Sequence, residues 1–337
     1  MKMRSVCGTI CTAFATLAAA LSAEAFEARQ VFREERFTRG DVNLRSLQPI
    51  DEASWIWTRG ADLDGGNAFP IVRFRCDFAS DGTPLVFDVS ADPRYVLLLD
   101  GRVVSRGPHK GFVERWSYQT YEIQGIPPGE HVLEAVVFHL GQNGPPSILT
   151  SGRGGFILKA EGVYDARLTT GKAMWRAARV PCQSYGGVTD PDTMTGCENI
   201  VRGTGFLDWN DLDWQPTSAV RGPVQASDYG NACRGWALFP TERADELERP
   251  CAPGSVRAAQ PLFDETNAVY AATDAACAWT ARFDRLLKAG GKVEIPAHTS
   301  VRFLWDLGDY YCAFPDLGTS GGAGAQVRWR WAEALYA

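Results

Sequence analysis

The chain is poor in the residues that most catalytic and metal sites need. It has four histidines, His109, His131, His139 and His298, and none stands in HExxH or another spaced ligand pattern. Its nine cysteines include no CxxC and no CxxH pair, which excludes the common structural zinc sites. Basic residues are in deficit. The 34 Lys and Arg stand against 40 Asp and Glu, a formal charge of −6, and no basic stretch stands out, so no nucleic acid is expected as a partner. After residue 25 no apolar run is long enough to span a bilayer. The glycine clusters at 152–155 and 318–324 do not lie between a strand and a helix, so they read as turns and not as phosphate cradles. No cofactor, no metal and no catalytic constellation is read from the chain.

What is abundant points to β structure. Eleven Trp, ten Tyr and 34 Gly, with few long helical repeats, suggest an all-β protein with many turns. Hydrophobic residues make up 45%, ample material for packed cores, and 337 residues are enough for two domains. The N-terminus reads as an export signal. Lys2 and Arg4 precede an apolar stretch, and Ala23-Glu24-Ala25 offers a small-x-small cleavage site, giving a signal peptide over 1–25 and a mature start at Phe26. The protein is therefore expected to be secreted or periplasmic, with no membrane contact after cleavage. Export permits disulfides. Cys182–Cys197 and Cys233–Cys251 are plausible loop-closing pairs, buried free thiols are the competing reading, and an odd count of seven leaves one thiol unpaired.

The most informative stretch is residues 90–121. The apolar run YVLLL at 95–99 meets Asp100-Gly101, and a second run, Arg102-Val103-Val104, follows. Asp-Gly between apolar runs is the strongest short-range hairpin signal, because a type I′ turn needs positive φ at both central positions. Arg106-Gly107-Pro108 halts that sheet. Residues 116–121, WSYQTY, alternate like a strand, and Pro127-Pro128-Gly129-Glu130 turns into a further strand from His131 to Val137. Residues 73–78, 85–90, 154–160 and 175–180 read as strands as well. Residues 26–50 are charged and read as a leader or short helix. Strands are also expected over 298–307, 310–314 and 326–335, the last with Val327, Trp329 and Trp331 on one face.

This order of motifs carries a resemblance. The runs DPRYVLLLDGRVVSRGP, WSYQTYEI and PPGEHVLEAVVFH resemble the N-terminal jelly-roll sandwich of bacterial α-L-rhamnosidases of glycoside hydrolase family 78. The opening Trp55-Ile56-Trp57 and the C-terminal DLG and WAEALY runs are similar to that family too. The resemblance implies a jelly-roll, galactose-binding-like β-sandwich over 51–250, followed by a second, incomplete β-sandwich over 251–337. In the family the chain then continues into an (α/α)6 catalytic barrel holding the acid and base. None of those motifs has a counterpart here, so no catalytic residue carries over, and the chain is expected to be a fragment whose missing partner is that barrel.

The best functional candidates are sugar contacts. A pyranose stacks its C–H face on an aromatic ring while polar side chains bond its hydroxyls. Arg106, His109, Arg115, Trp116 and Tyr118 leave the hairpin together and are candidates for a carbohydrate-binding rim. The competing reading is that Trp116 and Tyr118 fill the core and Arg106 braces the loop. The acidic cluster Asp208, Asp211 and Asp213, with Asn210, fits a calcium loop only in part. Three functions follow: the non-catalytic part of a secreted rhamnosidase-like hydrolase acting on rhamnose-containing glycans, a stand-alone carbohydrate-binding module, or a structural spacer.

Overall fold

The computed structural model describes residues 26–34, 48–59, 70–111, 115–139, 150–151, 153–185, 199–201, 211–223, 237–261 and 274–331. The expected signal peptide lies outside them. The chain divides into a compact unit ending at Glu246 and a second beginning at Leu247.

The first unit is a β-sandwich, antiparallel except for one short pairing. In chain order its strands are β1 (Glu27–Val31), β2 (Trp55–Trp57), β3 (Pro70–Ser80), β4 (Leu85–Asp92), β5 (Arg94–Leu99), β6 (Arg102–Gly107), β7 (Trp116–Gln124), β8 (Gly129–Phe138), β9 (Gly155–Ala160), β10 (Arg176–Tyr185), β11 (Asn199–Val201), β12 (Gln215–Pro216), β13 (Ser218–Arg221) and β14 (Leu238–Pro240). One sheet runs β1-β7-β4-β9-β2-β13, with β14 also on β7. The other runs β11-β10-β3-β8-β5-β6, with β12 on β10. Helix α1 (Asp165–Leu168) is a single turn after β9.

Alternation explains the layers. On β4, Leu85, Phe87, Val89 and Ala91 point into the main core, where they meet Val72, Phe74, Leu97, Leu133 and Phe156 from neighbouring strands. The opposite face of the first sheet is covered as well. Trp55, Trp116, Tyr118, Ile157 and Leu238 form a second buried cluster with Ile50, inside a 3-10 turn at Pro49–Glu52, and Ala53, which caps it. A strand buried on both faces follows from this cover, and every residue of β9 is buried.

The Asp-Gly hairpin forms as its sequence demands. Leu99 pairs with Arg102, leaving a two-residue loop with φ of 50° at Asp100 and 77° at Gly101. Asp100 does further work: its Oδ1 accepts the Val132 N–H at 2.9 Å and its Oδ2 lies 2.6 Å from His131 Nδ1. The segment expected as a leader or short helix instead supplies β1, paired antiparallel with β7 from Glu27 against Gln124 to Val31 against Thr120. At a sheet edge charges are tolerated, and Arg29 pairs with Glu122 across the two strands.

The second unit holds a two-stranded ribbon, β15 (Ser255–Pro261) against β16 (Val301–Asp306), and helix α2 (Asp274–Ala289). Here the strand reading needs correction. Residues 310–314 and 326–331 form no strand, and residues 332–335 lie outside the described ones. Helix α2 was not expected, yet Ala276, Trp279, Phe283, Leu286 and Leu287 recur at helical spacing. Trp279 and Phe283 pack on Val256 and Ala259 of β15. Thr280 Oγ1 accepts the Ala259 N–H at 2.8 Å and Asp284 Oδ1 the Val256 N–H at 3.2 Å, so the helix satisfies amides that the ribbon leaves open.

Candidate functional site

The candidate residues converge where β6 leaves its sheet and β7 begins. Gly107 ends β6 at a place no side chain fits. A Cβ there would lie 1.9 Å from Gln119 Oε1 and 2.8 Å from the Tyr95 ring. That close approach lets the chain pass directly over a buried polar hub.

Gln119 is the centre of the hub and is fully buried. Tyr95, from the opposite sheet, donates its hydroxyl to Gln119 Oε1 at 3.0 Å. Gln119 Nε2 donates to Asp245 Oδ1 at 2.8 Å and to the Tyr121 hydroxyl oxygen at 3.0 Å. Tyr121 in turn donates to Asp245, 2.9 Å from Oδ1 and 2.8 Å from Oδ2. These bonds use both amide hydrogens, so the Arg106 carbonyl and His109 Nε2, each 3.4 Å away, sit at the margin. His109 Nδ1 lies 2.7 Å from Thr241 Oγ1. His109 Nε2 also lies 3.6 Å from Asp245 Oδ1, so the ring stands between Thr241 on one side and the Asp245 carboxylate on the other.

The electrostatics keep this cluster neutral apart from Asp245. Burial pushes the Tyr95 and Tyr121 phenols well above their ordinary range, with Asp245 adding to the effect. Burial likewise lowers the His109 pKa, and Arg94 and Arg243 reinforce it against the opposing pull of Asp245 and Glu246. At neutral pH the phenols remain donors and the imidazole remains uncharged. Such groups brace a loop well but exchange protons poorly. A glycosidase needs two carboxyls flanking a sugar, whereas Asp245 is already held by Tyr121 and Gln119.

The five sequence candidates separate into different roles. Trp116 and Tyr118 are buried, 3% and 0% exposed, on the side of β7 facing away from the hub. The Trp116 indole donates to the Ala91 carbonyl at 3.0 Å. The stacking role expected of these two rings is therefore corrected: they fill the second cluster, because β7 is covered on both faces. Arg115 is exposed and lies over the Phe239 ring at 4.2 Å, on β14. Arg106 is exposed on β6. His109 is drawn into the hub. Between these residues lies a cleft lined by Pro93, Arg94, Pro108, His109, Lys110, Gly111 and Trp116. Its volume of about 10 Å³ admits one water-sized group and no whole pyranose.

Tyr95, Gln119, Tyr121, Thr241 and Asp245 were missed by the sequence reading. One signal was available: Gln119 is a polar residue on the face of β7 where Tyr121 and Ile123 point into the core. Residues 318–322 also spell Gly-x-Ser-x-Gly, a nucleophile-elbow pattern passed over above, but neither strand nor helix flanks Ser320 as that turn requires. Of the acidic cluster, Asp213 accepts from Gln215 Nε2 at 2.6 Å, while Asp208 and Asn210 lie outside the described residues. Among the described residues no group of three metal-ligating side chains occurs. Cys76, Cys251, Cys277 and Cys312 carry free thiols; Cys197 and Cys233 lie outside the described residues. No described helix is long and apolar enough to cross a membrane.

No family model matches the chain, and no curated protein matches it in sequence. Several solved structures are similar. A family 78 rhamnosidase of Bacillus sp. GL1 is 22% identical, with a TM-score of 0.48 over 62% of this chain and 22% of its own. An α-L-rhamnosidase of Streptomyces avermitilis, solved with L-rhamnose, is 15% identical, with a TM-score of 0.30 over 62% of this chain and 18% of its own. A lectin of Pleurotus ostreatus is 16% identical, with a TM-score of 0.32 over 57% of this chain and 48% of its own. The chain thus spans about a fifth of the length of the two rhamnosidases.

Proposed function

We propose that the chain is the non-catalytic N-terminal part of a secreted, α-L-rhamnosidase-like glycoside hydrolase, and that it serves by binding carbohydrate. The observation that carries this reading is where the resemblance falls. The three runs that resemble family 78 supply β5 to β8, the strands that frame the hub and its cleft. The hub supports a bracing role over a catalytic one, since its phenols stay protonated and its carboxylate is occupied. Rhamnose as the sugar and secretion as the location are part of the proposal, the first from the resemblance and the second from residues 1–25.

Three measurements test it. The purified chain from Phe26 should not hydrolyse an aryl α-L-rhamnoside, and calorimetry should show saturable binding of L-rhamnose or a rhamnose-containing oligosaccharide. Turnover overturns the non-catalytic assignment. Failure of every saccharide tried overturns the binding role and leaves a spacer. N-terminal sequencing of the exported protein should begin at Phe26.

A further inference from the structure

The segment that joins the two units lies open. Residues 246–253 are exposed and form neither helix nor strand. Leu247, where the second unit begins, is 96% exposed, although leucine is among the residues most often buried. Both ends of the segment are held. Asp245 accepts from Tyr121 and Gln119, and its own backbone N–H donates to Gln30 Oε1 at 2.8 Å. At the far end the Trp305 indole donates to the Pro253 carbonyl at 2.6 Å. Residues 246–252 thus run between two anchors, one in each unit.

An endoprotease must draw several residues through its cleft in extended form. A peptide bond inside a sheet is protected until that sheet opens, whereas an exposed irregular segment needs no such opening. The side chains set which protease fits. Two arginines lie near. Arg243 is tied into the strap after β14, its backbone N–H donating to Thr241 Oγ1 at 3.2 Å and its carbonyl accepting from Gln30 Nε2 at 2.8 Å. Arg249 is followed by Pro250, whose ring replaces the amide N–H and crowds the bond. A basic-specific protease finds no good bond here, whereas Leu247 offers a large apolar side chain with exposed residues before and after it. We infer that this segment is a cleavage site for an endoprotease with an apolar specificity pocket, acting at the Leu247–Glu248 bond. Water adds across that bond: the C–N bond breaks, a carboxylate forms on Leu247 and an amine on Glu248. The cut falls beyond Asp245, so the released sandwich keeps both β14 and the hub. Cleavage there is independent of what the sandwich binds.

The test treats the full chain briefly with chymotrypsin and, in parallel, with trypsin, and reads the new termini by mass spectrometry. Chymotrypsin should produce a terminus at Glu248 and a piece ending at Leu247 that still melts cooperatively. Over the same time trypsin should leave residues 244–253 uncut. Leu247→Asp, an exposed change, should slow the chymotryptic cut at this bond by at least about tenfold, since an apolar pocket rejects a carboxylate. Its melting temperature and the cuts elsewhere should be unchanged. Absence of a Glu248 terminus, or an unaltered rate in Leu247→Asp, overturns the inference. Tryptic cutting at Arg243 or Arg249 as fast as the cut at Leu247 also overturns it, reducing the segment to a generally labile linker. So does a piece ending at Leu247 that unfolds or precipitates on release.

Discussion

His109 and Thr241, 132 positions apart in the chain, meet at 2.7 Å between ring Nδ1 and hydroxyl oxygen. That contact joins the β6–β7 connection to the segment that follows β14. Asp245 repeats the join from the same segment through Tyr121 and Gln119. The two contacts together turn a short parallel pairing, Leu238 to Pro240 against Trp116 to Tyr118, into a fixed strap.

Removing the centre of the hub should therefore loosen the strap. Gln119→Leu leaves the buried Tyr95 hydroxyl without its Gln119 acceptor, whereas Asp245 is 37% exposed and keeps its bond from Tyr121. We expect a loss of about 1–2 kcal/mol of unfolding free energy, read by urea denaturation, the cost of one orphaned buried group. A change below about 0.5 kcal/mol would mean that water replaces the hub at no cost.

Two glycines next to this site should respond differently to the same change. Gly107→Ala places a methyl 1.9 Å from Gln119 Oε1, so the hub must shift. A loss of about 2–3 kcal/mol is expected from overpacking. Gly101→Ala meets nothing within 4 Å and bears only the cost of a φ of 77°, about 1 kcal/mol. Thermal melts of both variants would check the order, and a Gly101 variant that is the weaker of the two would contradict it.

Stability should fall on mild acidification. His139 is buried, neither ring nitrogen has a hydrogen-bond partner, and its edge meets Trp57 at 5.9 Å. Burial, aided by Arg179, pushes its pKa down from 6.5 to about 4. Between those values the unfolded chain takes up a proton that the fold refuses. His139 therefore subtracts nothing above pH 6.5, and stability drops as the pH falls toward 4, by about 3 kcal/mol in full. The lowered pKa of His109 acts in the same sense. Between about pH 7 and pH 4.5 the urea midpoint of the wild type should fall further than that of His139→Phe. Parallel curves would assign the acid loss to other groups.

Thiol chemistry should separate the described cysteines. Burial raises Cys76 to about 12, and its Sγ donates to the Arg167 carbonyl at 3.4 Å. Cys251, Cys277 and Cys312 are exposed. Brief iodoacetamide treatment of the folded chain at pH 8, followed by peptide mapping, should label those three and spare Cys76. Labelling of Cys76 at a comparable rate would show that the core opens readily around β3.

Local signals were the legible ones. Asp100-Gly101 forms its turn because the two positive φ values are a property of the dipeptide and its flanking runs. β4 was readable because Leu85, Phe87, Val89 and Ala91 alternate toward the core, whereas on β7 the apolar residues change face between Tyr118 and Tyr121, since both faces of that strand are covered. β1 was not readable, since Glu27, Arg29 and Gln30 are admitted by an edge position that only the completed sheet creates. Trp329 and Trp331 suggested a strand by alternation, yet Trp329 packs edge-on against Trp305 at 5.4 Å without one. Helix α2 was written in the spacing of Ala276, Trp279, Phe283, Leu286 and Leu287, but that period was not read. Of the site, His109 could be nominated because it leaves the hairpin, but Thr241 and Asp245 could not. Nothing local ties a Thr or Asp in an irregular stretch to a histidine so far upstream.

The free edge of β7 is shared by two segments. β1 covers Thr120 to Gln124 and β14 covers Trp116 to Tyr118, from opposite ends of the first unit's sequence, and they abut at Gln119. For anyone trimming this protein into a smaller piece, the safe cut sites follow from that seam. A piece starting at Trp55 or stopping before Leu238 would bare half of a long, apolar-flanked strand edge, the surface on which sheets of separate molecules join. Such pieces should precipitate from otherwise intact sandwiches, whereas one running from Phe26 through Glu246 keeps the seam closed.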